Sequence, residues 1–453
     1  MSSTPSLARR LGTRDAVVIG LGSMIGAGVF AAFGPAARAA GSGLLLGLAL
    51  AAAVAYCNAV ASAQLAAQYP TSGGTYVYGR ERLGEWWGFC AGWGFVIGKT
   101  ASCAAMALTF ASYAVGGSRL GQRLVALLAV LALTAVNYRG ITRTARLARV
   151  LVAVSVLALL IVVVAIAVSG RSRTGVLDDL PFGTGGAHGI LQSAALLFFA
   201  FAGYARIATL GEEVRDPART IPRAIPVALG LTVALYAAVG VAALFATGPA
   251  ALADSSTPIA TAVQAAGSAW ALPAVRIGAA VASLGSLLAL IAGLGRTSLA
   301  MARNGDLPRW LASVHPRFEV PHHAELAVGA IVATLVLTTD LRGAIGFSSF
   351  GVLVYYAVAN ASAFTQSDEQ RRWPRALNVL GGIACLVLVA ALPPSAVIAG
   401  VLVFVIGLAG RALARWGRAS RSSPTRAELR AHAPARPRPH GRAGARCHRG
   451  SRR

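Results

Sequence analysis

Two apolar stretches of this chain contain residues suited to binding a polar molecule without any charged side chain. In G20-L-G-S-M-I-G-A-G28 four glycines, Gly20, Gly22, Gly26 and Gly28, stand within nine residues, and in F198-F-A-F-A-G-Y204 a single Gly203 interrupts a run of aromatics. Glycine lifts the steric limits on the backbone, so both stretches suit a local unwinding of a helix. In hydrocarbon an unwound segment leaves N–H and C=O groups without partners, each at several kcal/mol. It persists only where it lines a cavity or holds something polar.

The chemistry on offer is that of bare peptide groups. A half-helix that restarts after the first break presents free amides and the positive end of its dipole, which attract an anion. The amides around Met24 to Gly28 suit a carboxylate, and the carbonyls ending the first half, around Gly20 to Ser23, suit an ammonium. An amino acid carries both. Phe198, Phe199, Phe201 and Tyr204 around the second break either pack against neighbouring helices or cover bound cargo. Two competing readings apply to the first stretch. Its G-x-G-x-x-G pattern also occurs in dinucleotide-binding folds, but here no strand precedes it and no acidic residue follows about twenty positions on. Gly22 and Gly26 also form a small-x-x-x-small pair that packs helices, although so many glycines exceed the need of one contact.

The elements that must position these stretches are membrane spans. With 56% hydrophobic and 13% charged residues among 453, and a positive mean hydropathy, the chain reads as an all-α integral membrane protein. Twelve apolar runs occur near 16–40, 43–68, 86–114, 122–138, 147–169, 189–211, 224–247, 273–300, 324–339, 344–364, 376–392 and 395–413. The glycine breaks fall in the first and sixth. No small-residue cleavage site follows the charged start, so the first span is expected to remain as an anchor. Arginine placement orients the chain: with the N-terminus inside, nineteen arginines up to residue 375 fall on the cytoplasmic side and seven on the other. Both termini are expected inside the cytoplasmic membrane.

Ionisable groups within spans draw attention because they are costly there. Lys99, the only lysine, falls mid-way along span 3, too deep to snorkel. It is a candidate for proton coupling, with a structural ion pair or packing as the alternative. Ser283 and Ser286 in span 8 are candidates to hold a coupling ion or simply to pack. Phe201, Arg206 and Glu212 are gate candidates at the end of span 6, where Arg206 with Glu212 and Glu213 also fits an ordinary helix-end cluster.

Several readings are excluded or set aside. The net charge of +25 is concentrated at the end, since thirteen of the forty-one basic residues follow residue 410, in a Pro- and Gly-rich tail read as disordered. No aromatics interleave there to stack on bases, so no nucleic-acid partner is expected. Cys57, Cys90, Cys103, Cys385 and Cys447 form no C-x-x-C pair, and His322 beside His323 has the wrong spacing for two ligands on one helix face. No metal, no cofactor and no enzymatic nucleophile is expected.

The motifs resemble the amino acid, polyamine and organocation transporter superfamily, whose first span carries G-x-G-x-x-I-G-A-G-[IV]-F, here G20-L-G-S-M-I-G-A-G-V-F30. Y-P-T-S-G-G-T-Y-V-Y from Tyr69, G-E-E-V-R-D-P-A-R-T-I-P from Gly211 and R-T-S-L-A-M-A-R-N-G-D-L-P from Arg296 carry it further, over residues 15 to about 410. The resemblance implies the leucine-transporter fold of 12 transmembrane helices, a 5+5 inverted repeat plus two added spans. Its segments would be a cytoplasmic N-terminus at 1–15, repeat 1 at 16–169, an extracytoplasmic loop at 170–188, repeat 2 at 189–364, spans 11 and 12 at 376–413, and a basic tail at 414–453. It further implies that Ser23, Met24, Ile25, Gly26, Ala27 and Gly28 bind the α-carboxylate and α-amine. Phe199, Ala200, Ala202 and Tyr204, beside the breaker Gly203, would contact the cargo from span 6. Cationic-amino-acid members often have Asp shortly after the span 6 glycine; Ala205 stands here, which weakens a lysine or arginine cargo.

The function implied is an amino acid permease, a secondary transporter working by alternating access with proton symport or exchange. A sensor or antiporter using the same site without net uptake is the alternative.

Overall fold

The structure, a computed structural model, describes residues 11–71, 73–140, 145–177 and 185–422. The first ten residues and the tail from 423, where most of the expected basic extension falls, lie outside them. The elements in chain order are α1 (Thr13–Met24), α2 (Ala27–Ala31), α3 (Phe33–Ala40), α4 (Leu44–Gln68), α5 (Gly74–Leu83), α6 (Glu85–Ala114), α7 (Arg119–Tyr138) and α8 (Ala145–Val168). They continue with α9 (Gly186–Phe201), α10 (Ala205–Ala208), α11 (Pro217–Thr247), α12 (Pro249–Asp254), α13 (Pro258–Ala265), α14 (Leu272–Arg303), α15 (His322–Thr338), α16 (Leu341–Phe364), α17 (Arg375–Ala391) and α18 (Pro394–Ser422). Among the described residues the β-structure is confined to one isolated parallel bridge, Leu11 with Val214. Residues up to Gly407 form one unit and those from Leu408 a second, of which the end of α18 is the described part.

Nine segments among the described residues are long and apolar enough to cross a membrane, and α9, α15 and α17 are shorter apolar helices. Their outer faces carry large exposed side chains such as Leu128, Leu157 and Ile383. A helix that is apolar all round cannot face water, so these faces are made for lipid.

Three helices escape a reading by hydropathy because they are short or polar. The loop helix α5 has a polar sequence and ends where Gly84 adopts a φ of 102°, open to few residues other than glycine. Helices α12 and α13 each begin on a proline, Pro249 and Pro258, at the position where a missing N–H costs nothing. Pro217 starts α11 in the same way, after Asp216 as N-cap. The helix then runs on through Pro222 and Pro226.

What positions the site is the contact between α6 and α16. A Cβ on Gly98 would lie 3.0 Å from the Ser348 carbonyl oxygen, and one on Gly351 would lie 2.8 Å from the Gly98 Cα. Only hydrogen atoms let the two backbones approach this closely, the usual means of packing helices in lipid. The Ser102 and Ser348 hydroxyls, 2.6 Å apart, add a hydrogen bond across the contact. Together they fix the rotation of α6 about its axis, and so the direction in which Lys99 points.

Candidate binding site

The first glycine stretch is broken where the sequence places the break, and the interruption is short. Helix α1 ends at Met24, Ile25 adopts φ −76° and ψ 72°, and Gly26 follows at φ −115° and ψ −149° before α2 restarts at Ala27. The Gly26 amide donates to the Met24 carbonyl at 2.8 Å, which makes Ile25 the centre of an inverse γ-turn. The second stretch breaks more thoroughly. After α9 the chain turns through Ala202 and Gly203, and its bonds run three residues back, as from Arg206 to Gly203 and from Leu210 to Ile207. Apart from the four-residue α10, it does not resume a regular helix before α11. The sixth run, expected to span 189–211, is therefore helical on one side of its glycine and a chain of tight turns on the other.

The two breaks touch, backbone to backbone. A Cβ on Gly28 would lie 2.6 Å from the Ala200 Cα, and one on Gly203 would overlap the Ser23 carbonyl and reach 2.5 Å from the Met24 nitrogen. Here glycine is required by proximity, not by dihedral angle.

The carbonyls exposed at the breaks are capped by side chains from three other helices. Tyr236 of α11 donates to the Met24 carbonyl at 2.6 Å and lies 3.3 Å from that of Ala200, tying both breaks to one hydroxyl. Lys99 of α6 donates to the Ala202 carbonyl at 3.2 Å, and Tyr356 of α16 approaches the same oxygen at 3.4 Å. Buried backbone oxygens in lipid need such partners, since water cannot supply them.

A cavity of about 20 Å3 lies between the breaks, lined by Ser23, Met24, Gly26, Ala27, Gly28, Lys99, Ser102, Met106, Phe199, Ala200 and Gly203. That is room for about one water molecule. Of the residues read from sequence, Ile25, Ala202 and Tyr204 are not in this lining. Ile25 is buried and its amide returns to Leu21. Ala202 contributes only its carbonyl, and the Tyr204 ring packs 5.1 Å from that of Tyr356. Phe201 is fully buried against Tyr236, with ring centroids 5.2 Å apart, so this gate candidate is a packing residue in this conformation.

The remaining candidates lie around the site. A Cβ on Gly26 would lie 2.7 Å from Ser286 Oγ, which places Ser286 directly behind the first break. Ser283 is fully buried, its hydroxyl without a partner among the described residues. Arg206 is exposed and bonds Thr209 Oγ1 at 3.3 Å, and Glu212 is half-buried in the turns that follow. Ser102, Met106, Tyr236 and Tyr356 were not singled out by sequence. The first two stand three and seven positions after Lys99, on one helical face, so the spacing held the signal. The tyrosines gave only the weaker sign of a hydroxyl in an apolar span, which must find an acceptor.

Two of the loop motifs meet at some distance from the breaks. The Tyr76 hydroxyl of α5 donates to Asp306 Oδ2 at 2.8 Å and accepts from the Asn304 amide at 2.8 Å. Arg80 bridges Asp306 at 3.5 Å and Glu85 at 3.1 Å. The Asp306 side chain is only 3% exposed, so these bonds carry its charge. Burial, followed by the neighbouring Asp306, pushes the Tyr76 phenol up to about 12.

Paired breaks, their capped carbonyls and the loop motifs all lie within residues 11–412, over which the chain matches the family described as amino acid permease. The chain belongs to the amino acid permease family. It is thereby a transporter and a multi-pass membrane protein, as its apolar helices require. An uncharacterized transporter of Mycobacterium tuberculosis is 61% identical to this permease over 411 residues, covering 90% of this chain and 92% of that one. A branched-chain amino acid permease of Bacillus subtilis is 28% identical over 411 residues, covering 85% and 88%. A chloroplastic cationic amino acid transporter of Arabidopsis thaliana is 30% identical over 387 residues, covering 80% of this permease and 66% of its own length.

Proposed function

We propose that this permease is a secondary transporter that moves an amino acid across the cytoplasmic membrane by alternating access, with the cargo held between the two backbone breaks. The observation that carries the proposal is the contact of Gly203 with Ser23 and of Gly28 with Ala200 around a cavity in the apolar interior. Two interrupted helices in backbone contact at their breaks form a hinge as well as a site. The arrangement supports 12 crossings, read as two inverted five-span repeats, α1 to α8 and α9 to α16, with α17 and α18 added and both termini inside. Matching the breaks in the first span of each repeat is what favours this count.

The site binds by the groups that line it. Amides at the start of α2 and the hydroxyls of Ser23 and Ser102 supply polar contacts, while Met24, Met106 and Phe199 supply apolar cover. Ser23 to Gly28 hold the backbone end of the cargo, and Phe199, Ala200 and Gly203 face it from the other break. A cavity of about 20 Å3 is smaller than any amino acid, so binding requires the helices around the breaks to part. Such parting, alternately toward each side, is the transport step.

Coupling is to protons or to counter-exchange. The Met24 carbonyl already accepts from Tyr236 and Gly26, and the Ala202 carbonyl from Lys99 and Tyr356. A carbonyl has two lone pairs, so neither oxygen has one spare for sodium.

The test is counterflow in proteoliposomes preloaded with unlabelled amino acid. Transient accumulation of the labelled form supports transport. Saturable binding without accumulation identifies a sensor.

A further inference from the structure

Lys99 carries a positive charge into a cavity that has no negative one. None of the chain's sixteen acidic residues lines it, and the ammonium's hydrogen bond runs to a neutral carbonyl, that of Ala202. No ion pair joins Lys99 to a carboxylate among the described residues. An ammonium in an apolar interior is compensated by an anion or by several oxygens, and here the protein supplies one oxygen at hydrogen-bond distance. The residues on the same helical face, Ser102 and Met106, and across from it Met24 and Phe199, are neutral.

We infer that Lys99 is the carboxylate anchor of the cargo and sets the permease's charge selectivity: the site takes an amino acid with an uncharged, apolar side chain and rejects cationic ones. This rests on the reading of the cavity as the cargo site. The carboxylate completes the coordination of Lys99 Nζ. The apolar side chain packs on Met24, Met106 and Phe199. A cationic side chain would bring a further positive charge into a cavity whose lining holds no carboxylate to pair with it, and like charges at close range in a low dielectric repel strongly. At the breaks the Met24 carbonyl already accepts from Tyr236, and the Ala202 carbonyl from Lys99 and Tyr356, so these two oxygens are not open to a cargo ammonium. Selectivity therefore falls on the acid group.

The experiment uses the purified full chain and two readouts, counterflow and ligand-induced thermal shift. Probes are leucine, methionine, alanine, arginine and isoamylamine, which is leucine without its carboxylate. The native protein is expected to exchange at least one of the three neutral amino acids, with isoamylamine bound at least about thirtyfold more weakly, the range for leaving one partner of a desolvated charge pair alone, and with arginine also bound more weakly. Lys99→Met is expected to lose most of the discrimination between leucine and isoamylamine, and Lys99→Arg to keep it. A purely structural role for Lys99 would lower thermal stability in Lys99→Met without altering that discrimination. Equal binding of arginine or isoamylamine by the native protein overturns the inference, whether or not the variants fold. Unchanged discrimination in Lys99→Met overturns it too. Counterflow of none of the neutral amino acids instead removes the reading of the cavity as an amino acid site.

Discussion

The phenolic oxygen of Tyr236 lies 2.6 Å from the carbonyl oxygen of Met24, the last residue of α1 before the chain unwinds. Because the same hydroxyl lies 3.3 Å from the Ala200 carbonyl, one side chain on α11 joins the two broken helices. Tyr236→Phe keeps the ring against Phe201 and removes only this link. Leaving buried carbonyls short of a partner costs about 1–3 kcal/mol. The expected result is a lower melting temperature in detergent and weaker cargo affinity, read by thermal unfolding and by the concentration dependence of counterflow.

Backbone contact at the breaks makes a sharp distinction between glycines. Gly203→Ala drives a methyl group into the Ser23 carbonyl and the Met24 nitrogen, which are backbone and cannot swing aside. Overpacking costs about 1–3 kcal/mol even where side chains can adjust, so this variant is expected to insert in the membrane and lose transport. Gly230→Ala on α11 meets nothing within 4 Å and is expected to transport normally. Its stability should change by no more than about 1 kcal/mol. Membrane-fraction abundance and counterflow of the two variants, side by side, check the pair.

The Tyr76 and Asp306 pair ties loop helix α5 to the chain just past α14. In Tyr76→Phe the buried Asp306 carboxylate keeps Arg80 at 3.5 Å but loses its shorter bond. Faster amide hydrogen exchange across Gly74–Leu83 is expected. The pH response of the native pair follows from the phenol, which burial raises from 10.0 to about 12. A raised acid contributes stability fully below its unfolded value and loses it as pH climbs through the folded one. The Tyr76 contribution is therefore constant from pH 7 to 9 and declines between about 10 and 12. A melting-temperature difference between native and Tyr76→Phe protein that shrinks only in that upper window is the expected result.

Sodium independence is the expected outcome of proton or exchange coupling, which the two donors on each of the Met24 and Ala202 carbonyls favour. Replacing sodium by choline on both sides of proteoliposomes is expected to leave counterflow unchanged, and Ser283→Ala is expected to leave it unchanged in either medium. A sodium-dependent rate that disappears in Ser283→Ala would overturn proton or exchange coupling and turn the buried hydroxyl of Ser283 into an ion ligand.

What the sequence determined by itself was the existence and place of the breaks. Gly26 and Gly203 stand out because glycine in a long apolar helix carries a backbone cost that only a local function repays, and that cost can be read without coordinates. Membrane residence was equally legible, since hydropathy depends on composition along one segment. The loop motifs were visible too, although nothing in their order along the chain said that Tyr76, Arg80 and Asp306 would form one cluster. Tertiary structure alone decided which side chains serve the breaks. Ser102, Met106, Tyr236 and Tyr356 reach them from three helices distant in sequence, and Phe201 and Tyr204 turn away into packing although they flank the glycine. The reason is rotational: an apolar span shows little periodic contrast between its lipid face and its protein face. The direction of each side chain is set only when close contacts such as Gly98 on Ser348 lock the helices against one another.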